Sequence, residues 1–204
     1  MMDVGARSQR TAEIQRATGE TDISLSLVLD GTGTVDARTG VLFLDHMLDA
    51  LGRHGRFDLN VRCSGDVAMD PHHTVEDVGI ALGQALRQGL GDRAGIERFG
   101  YAYAPLDEAL ARVVVDCSGR PFLQYQVEMP EPMIGTAFAS SLVEEFWRGL
   151  VVNAALTVHI DLIRARNAHH AAEAIFKAAA VALRRAVVRS KVTEVVPSTK
   201  GMLA

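Results

Sequence analysis

The sequence repeats itself, and a repeat dictates a fold built twice from one plan. His72-His73-Thr74-Val75-Glu76 and His169-His170-Ala171-Ala172-Glu173 share one His-His-x-x-Glu pattern, 169 − 72 = 97 residues apart, and each opens a long apolar helical stretch. The segments upstream correspond at 145 − 46 = 99 residues: Leu51 meets Leu150, Leu59 meets Val158, Val61 meets Ile160, and His46 lies opposite Glu145. A two-residue difference in the connection before the motif reconciles the offsets. The expected architecture is α+β, a duplicated half-domain of strands and two helices. The half-repeats are set at 10–92 and 93–192, with an N-terminal tail over 1–9 and a C-terminal tail over 193–204.

Periodicity fills in the elements. Ile23, Leu25, Leu27 and Leu29 alternate with Asp22, Ser24, Ser26 and Val28, which predicts a strand with one apolar face. Asp30-Gly31-Thr32-Gly33 reads as a turn, and Phe57-Asp58-Leu59-Asn60-Val61 alternates again. From Thr74 the period changes: Val75, Val78, Leu82, Ala85, Leu86 and Leu90 recur at helical spacing and stop at Gly91. Further strands are predicted over 112–116, 123–129 and 156–162, with helices over 139–153 and 169–188. The tail over 196–201 has loop chemistry only.

Helical geometry decides what the motif can hold. A helix turns about 100° per residue, so positions i and i+4 share a face and i and i+1 do not. His72 and Glu76 clasp one ion while His73 points elsewhere; the same holds for His169 with Glu173 and for His170. Two copies offer two ions, each with a clasp and a lone imidazole, supplemented by His46 and Glu145. Imidazole and carboxylate without thiolate suit manganese, iron or zinc, and a six-coordinate demand favours the first two. One such pair alone would be ordinary helix capping or surface polarity. Four of the seven histidines in two identical patterns argue against coincidence.

Composition narrows the function classes. With 204 residues, 48% hydrophobic and 23% charged, the chain is an ordinary globular protein of one sizeable domain or two fused small ones. A net charge of -4 gives no reason to expect nucleic acid or an acidic membrane as partner, so any bound anion must be held by a few local basic residues. Cys63 and Cys117 are too few and too far apart for a disulfide framework or a thiolate metal site. The first twenty residues, with Arg7, Arg10, Glu13 and Arg16, lack the apolar core of a signal peptide. No apolar run approaches the ~20 residues of a membrane span. The expected location is the cytoplasm.

Five segments carry a family resemblance. Phe43-Leu44-Asp45-His46-Met47-Leu48, His72-His73-Thr74-Val75-Glu76-Asp77, Ser118-Gly119-Arg120-Pro121, Asn167-Ala168-His169-His170 and Pro197-Ser198-Thr199-Lys200-Gly201 together resemble the imidazoleglycerol-phosphate dehydratases, in order and spacing. The resemblance implies a ribosomal protein S5 domain 2-like half-domain, duplicated, with helices packed between two mainly antiparallel sheets. It implies a homo-oligomer of twenty-four chains, two Mn2+ per subunit (Fe2+ or another divalent ion also suits) and metal sites where subunits meet. It places His46, His73, His169 and Glu173 on one ion, and His72, Glu76 and His170 on the other. The second ion's remaining family ligand is a histidine, and Glu145 stands there in this chain. A carboxylate suits manganese at that position; His159 or water are the alternatives.

The implied reaction removes water from imidazoleglycerol phosphate to give imidazole-acetol phosphate in histidine biosynthesis. It runs through a dimanganese-bound imidazolate and a diazafulvene-like intermediate, because the C–H to be broken has no neighbouring carbonyl. The resemblance implies Glu20 as a proton-transfer group and His54, in the substrate-contacting stretch after His46, as a second catalytic residue. It implies Arg98, Arg120, Ser198, Thr199 and Lys200 for the phosphate. Asp107 and Glu108 match a family motif without an assigned role. A dimetal hydrolase and a metal-stapled structural or storage oligomer are the competing classes. The hydrolase would usually show aspartate ligands; the structural oligomer would hold metal without dehydrating any imidazole alcohol.

Overall fold

The duplication is visible in the strand registers. The computed structural model describes residues 8–190, 192, 194–199, 201 and 203. The first half runs β1 (Thr11–Ala17), β2 (Thr21–Val28), β3 (Val35–Arg38), α1 (Leu42–Gly55), β4 (Asp58–Gly65) and α2 (His72–Leu90). The second runs β5 (Phe99–Leu106), β6 (Ala109–Asp116), β7 (Phe122–Gln126), a small hairpin β8 (Met133–Ile134) and β9 (Phe138–Ala139), α3 (Leu142–Ala154), β10 (Thr157–Arg164) and α4 (Ala168–Val187). The two four-stranded sheets have the same order, β1-β2-β4-β3 and β5-β6-β10-β7. Each has two antiparallel pairings and one parallel pairing.

Thr11 pairs with Val28 and Phe99 with Asp116, so both strands of the first hairpin shift by 99 − 11 = 116 − 28 = 88 residues. Ser26 pairs with Asn60 and Val114 with His159, shifts of 88 and 99. The parallel pairs Val35–Leu59 and Leu123–Val158 keep the same two offsets. The repeat therefore extends to β1, β3, β5 and β7, where the sequence showed none.

β1 and β5 escaped the sequence pattern for physical reasons. In β5 the large side chains Phe99, Tyr101 and Tyr103 face solvent, while small Gly100, Ala102 and Ala104 face the helices. In β1 the inward face carries only two apolar residues, Ala12 and Ile14, followed by Arg16, which reaches Asp77. The predicted strand over 123–129 ends at Gln126, since Pro130 and Pro132 follow and the chain turns into the small hairpin. That hairpin also takes Ala139, so α3 begins at Leu142.

All four helices lie between the sheets and supply the core. Ile23, Leu25 and Leu27 of β2 point in against α2, as their alternation predicts. α2 crosses α3 with backbones nearly touching: a Cβ on Gly79 would sit 2.5 Å from the Phe146 carbonyl oxygen. Phe146, Trp147 and Phe176 join α3 to α4 with ring centroids 5.0–5.3 Å apart. Burying each such phenylalanine contributes about 1.5–3 kcal/mol. No helix of the described residues is long and apolar enough to cross a membrane. Both His-His-x-x-Glu motifs lie in the first two turns of α2 and α4.

Candidate metal centre

α1 and α4 bring the first cluster together. Glu173 Oε2 lies 3.2 Å from His46 Nε2 and 3.2 Å from His169 Nε2. Among the described residues this is the only group of three or more His, Cys, Asp or Glu side chains with donor atoms within 4.8 Å of one another. Bonds of ~2.1 Å at right angles place neighbouring ligands about 3 Å apart, so the spacing fits a shared ion. Phe43 stands edge-on to both imidazoles, 6.4 Å from His46 and 5.2 Å from His169, and limits their rotation. Burial works against charge on Glu173, but Lys177 at 2.6 Å from Oε1 and the His46 contact hold its carboxyl down to about 2. It is an anion at any working pH.

The second motif copy is arranged alike on α2. His72 Nε2 faces Glu76 Oε2 at 3.6 Å. Glu145, half-buried at the start of α3, adjoins the Phe146 backbone that meets α2 at Gly79. It forms no three-ligand group with His72 and Glu76 comparable to the first cluster. His159 sits elsewhere: it is exposed on the outer face of β10, 5.8 Å from the Phe122 ring, away from both motif starts. Among the described residues of one chain it joins no group of metal-ligating side chains.

The second histidine of each motif is held by a carboxylate the sequence reading left without a role. His73 Nδ1 lies 3.1 Å from Asp66 and His170 Nδ1 lies 2.8 Å from Glu108. Each contact orients the ring and leaves Nε2 as the outward donor, the usual arrangement behind a metal-bound imidazole. Glu108 also accepts the backbone N–H groups of Arg166 and Asn167, both at 3.1 Å, which fixes the entry to α4. The His170 contact draws Glu108 down to about 2 and raises His170; Asp66 likewise raises His73. The signal for Glu108 was present but needed strand register: 20 + 88 = 108 makes it the counterpart of Glu20. Glu108→Ala should lower metal affinity about 10–100-fold in a competition titration. Unchanged affinity would reduce the pair to a loop anchor.

The remaining predicted residues spread along the molecule. Glu20 Oε1 lies 3.6 Å from His73 Nε2. His54 is two turns beyond His46 on α1, where desolvation, then Lys177, lowers its imidazole pKa, and its backbone oxygen accepts Arg184. Arg98 pairs with Asp116 at 2.7 Å and donates to the Pro197 carbonyl at 2.8 Å, so it ties down the segment bearing Ser198 and Thr199. Arg120 is exposed between β6 and β7, with its carbonyl accepting Ser118 and Thr157. Lys200 lies outside the described residues. His46, His169 and Pro71, the residue before His72, line one cleft of about 540 Å³ with Phe43, Ile134 and Phe138.

Fold and site together define a duplicated α+β half-domain protein with a histidine–glutamate cluster spaced to hold a metal ion. The chain belongs to the imidazoleglycerol-phosphate dehydratase family, whose model matches residues 39–183. It is 54% identical over 195 residues to the imidazoleglycerol-phosphate dehydratase of Aminomonas aminovorus, covering 95% of this chain and 100% of that one. It is 55% identical over 197 residues to that of Methylococcus capsulatus, covering 96% and 100%. Among solved structures, the Staphylococcus aureus enzyme is 42% identical with a TM-score of 0.80, covering 88% of this chain and 99% of that one. The Pyrococcus furiosus enzyme is 38% identical, also at 0.80, covering 93% and 100%. The family's reaction belongs to histidine biosynthesis.

Proposed function

We propose that this chain dehydrates imidazoleglycerol phosphate to imidazole-acetol phosphate with two divalent ions, manganese or iron, held between neighbouring copies in a cytoplasmic assembly of twenty-four. One observation carries the reading. His46, His169 and Glu173 converge on one point, while the fourth ligand of that ion, His73, faces Asp66 and Glu20 instead. A second chain that brings its α2 start to the first chain's α4 start completes both sets. Its His73 would join His46, His169 and Glu173, and the first chain's His170 would join its His72, Glu76 and Glu145. The donor set fits: ionised carboxylates and imidazoles with Nε2 facing outward, no thiolate, and oriented rings.

Divalent ions held by these histidines and glutamates would supply Lewis acidity toward the substrate imidazole. The protein does the rest. Glu20, beside His73, takes the carbon-bound proton and returns a proton to the product. Arg98 holds the 197–199 segment so that Ser198, Thr199 and Arg120 receive the phosphate, with Lys200 beside them. His54 borders the substrate's path along α1. Purified protein supplied with manganese and imidazoleglycerol phosphate should yield the acetol product, and metal-stripped protein should yield none. Release of inorganic phosphate in place of the acetol would contradict the reading and favour a hydrolase.

Arg98→Ala should raise KM for substrate strongly, because the segment that receives the phosphate loses its anchor. Inhibition by small azoles without phosphate should scarcely change. Parallel loss of azole and substrate affinity would place Arg98 in support of the metal site.

A further inference from the structure

Asp77 ends the second of the five family-like segments, and the site described above leaves it without a task. It lies one helical turn beyond His73 on α2 and is 7% exposed. Its Oδ2 accepts the Thr21 hydroxyl at 2.5 Å and its Oδ1 accepts Arg16 at 2.5 Å. Those partners sit on β1 and β2, on either side of the turn that carries Glu20. Inside that turn the Thr18 hydroxyl accepts the backbone N–H groups of Glu20 at 3.1 Å and Thr21 at 3.0 Å, and lies 3.2 Å from the Thr21 hydroxyl. Gly65 of β4 makes room for this approach: a Cβ there would sit 2.3 Å from Thr74 Oγ1 and 3.3 Å from Thr21 Cγ2. A short polar chain therefore runs from α2 through Asp77, Thr21 and Thr18 to the backbone of Glu20.

The repeat supplies an internal control. The counterpart of Glu20 is Glu108, since 20 + 88 = 108. The counterparts of the pins are all alanine: 16 + 88 = 104 gives Ala104, 21 + 88 = 109 gives Ala109, and 77 + 97 = 174 gives Ala174. In the second half the acid anchors its own turn, spending its carboxylate on Arg166, Asn167 and His170. In the first half the carboxylate has a single partner among the described residues, His73 at 3.6 Å, and its side chain is 53% exposed. The turn there is held from behind, and the acid is left available.

We infer that Asp77, acting through Thr21, is a positioning residue that holds the Glu20 carboxylate beside His73 without occupying it. This rests on the proton-transfer role given to Glu20. Misplacement of a reacting group by about 1 Å can cost about 10²-fold in rate. Thr21→Val keeps the side-chain shape and removes the hydroxyl. In the manganese-loaded enzyme it should lower kcat about 10–100-fold, with KM and metal content close to the parent and a melting temperature lowered only by the unpaired Asp77 oxygen. Thr21→Ser should recover most of the loss. The double variant Thr21→Val with Glu20→Gln should be no slower than Glu20→Gln alone, since both act through one carboxylate.

Parental kcat in Thr21→Val beside a slow Glu20→Gln would overturn the inference and leave the reading of Glu20 intact. Multiplied losses in the double variant would do the same, as would equal losses in the valine and serine variants. Parental kcat in Glu20→Gln alone would overturn both.

Discussion

Glu173→Gln should abolish turnover and remove one ion per chain. Glu173 Oε2 is the point shared by His46 and His169, so its loss leaves two imidazoles with no anion between them. Outer partners of metal ligands already cost about 10–100-fold in metal affinity or activity when removed, and a direct ligand should exceed that. The assembly should weaken as well, because binding that bridges chains contributes to association by linkage. Full metal content in the glutamine variant would remove Glu173 from the ligand set. The same centre predicts a pH response. Ions bind neutral imidazole, so protons compete with them. Asp66 and Glu108 raise His73 and His170, so that competition begins at higher pH than for an ordinary histidine. Glu173, held at about 2, stays ionised throughout. Metal counted by mass spectrometry should therefore fall as pH drops through the raised histidine range. Retention down to the range where carboxylates protonate would contradict this.

Glu20→Gln should keep metal and assembly while losing about 10²–10⁴ of kcat, the usual contribution of a general acid–base group. Glutamine preserves size and hydrogen bonding but cannot carry the proton. Of the predicted site acids, only Glu20 lies against the outward Nε2 of a motif histidine supplied by another element; Glu76 faces His72 of its own helix, and Glu173 faces His169 of its own helix and His46 of α1, outside the motifs. KM should change little, since the phosphate contacts lie elsewhere. Near-parental kcat would exclude Glu20 from proton transfer.

How far the sequence could be read follows from what repetition preserves. The His-His-x-x-Glu copies and the apolar faces of α2, α4, β2 and β4 were legible because burial on one face imposes a period. β5 was not, since its large residues face outward and its inward face is small. The clasps of His72 with Glu76 and His169 with Glu173 followed from helix geometry alone. The carboxylates behind His73 and His170 did not: Asp66 and Glu108 come from other elements, and only strand register shows that Glu108 answers to Glu20. Lys177, against Glu173, lay on a helix face that reads as solvated.

The central claim is that each active centre is shared between chains, and complementation tests it directly. Glu173→Gln disables the α4 side of a centre and Glu76→Gln the α2 side, so each variant alone should be inactive. Dissociated by chelation, mixed in equal amounts and reassembled with manganese, they should recover about a quarter of parental activity, because random pairing restores one centre in four with both sides intact. A mixture as inactive as its components would place both sides of each centre in a single chain and contradict the account.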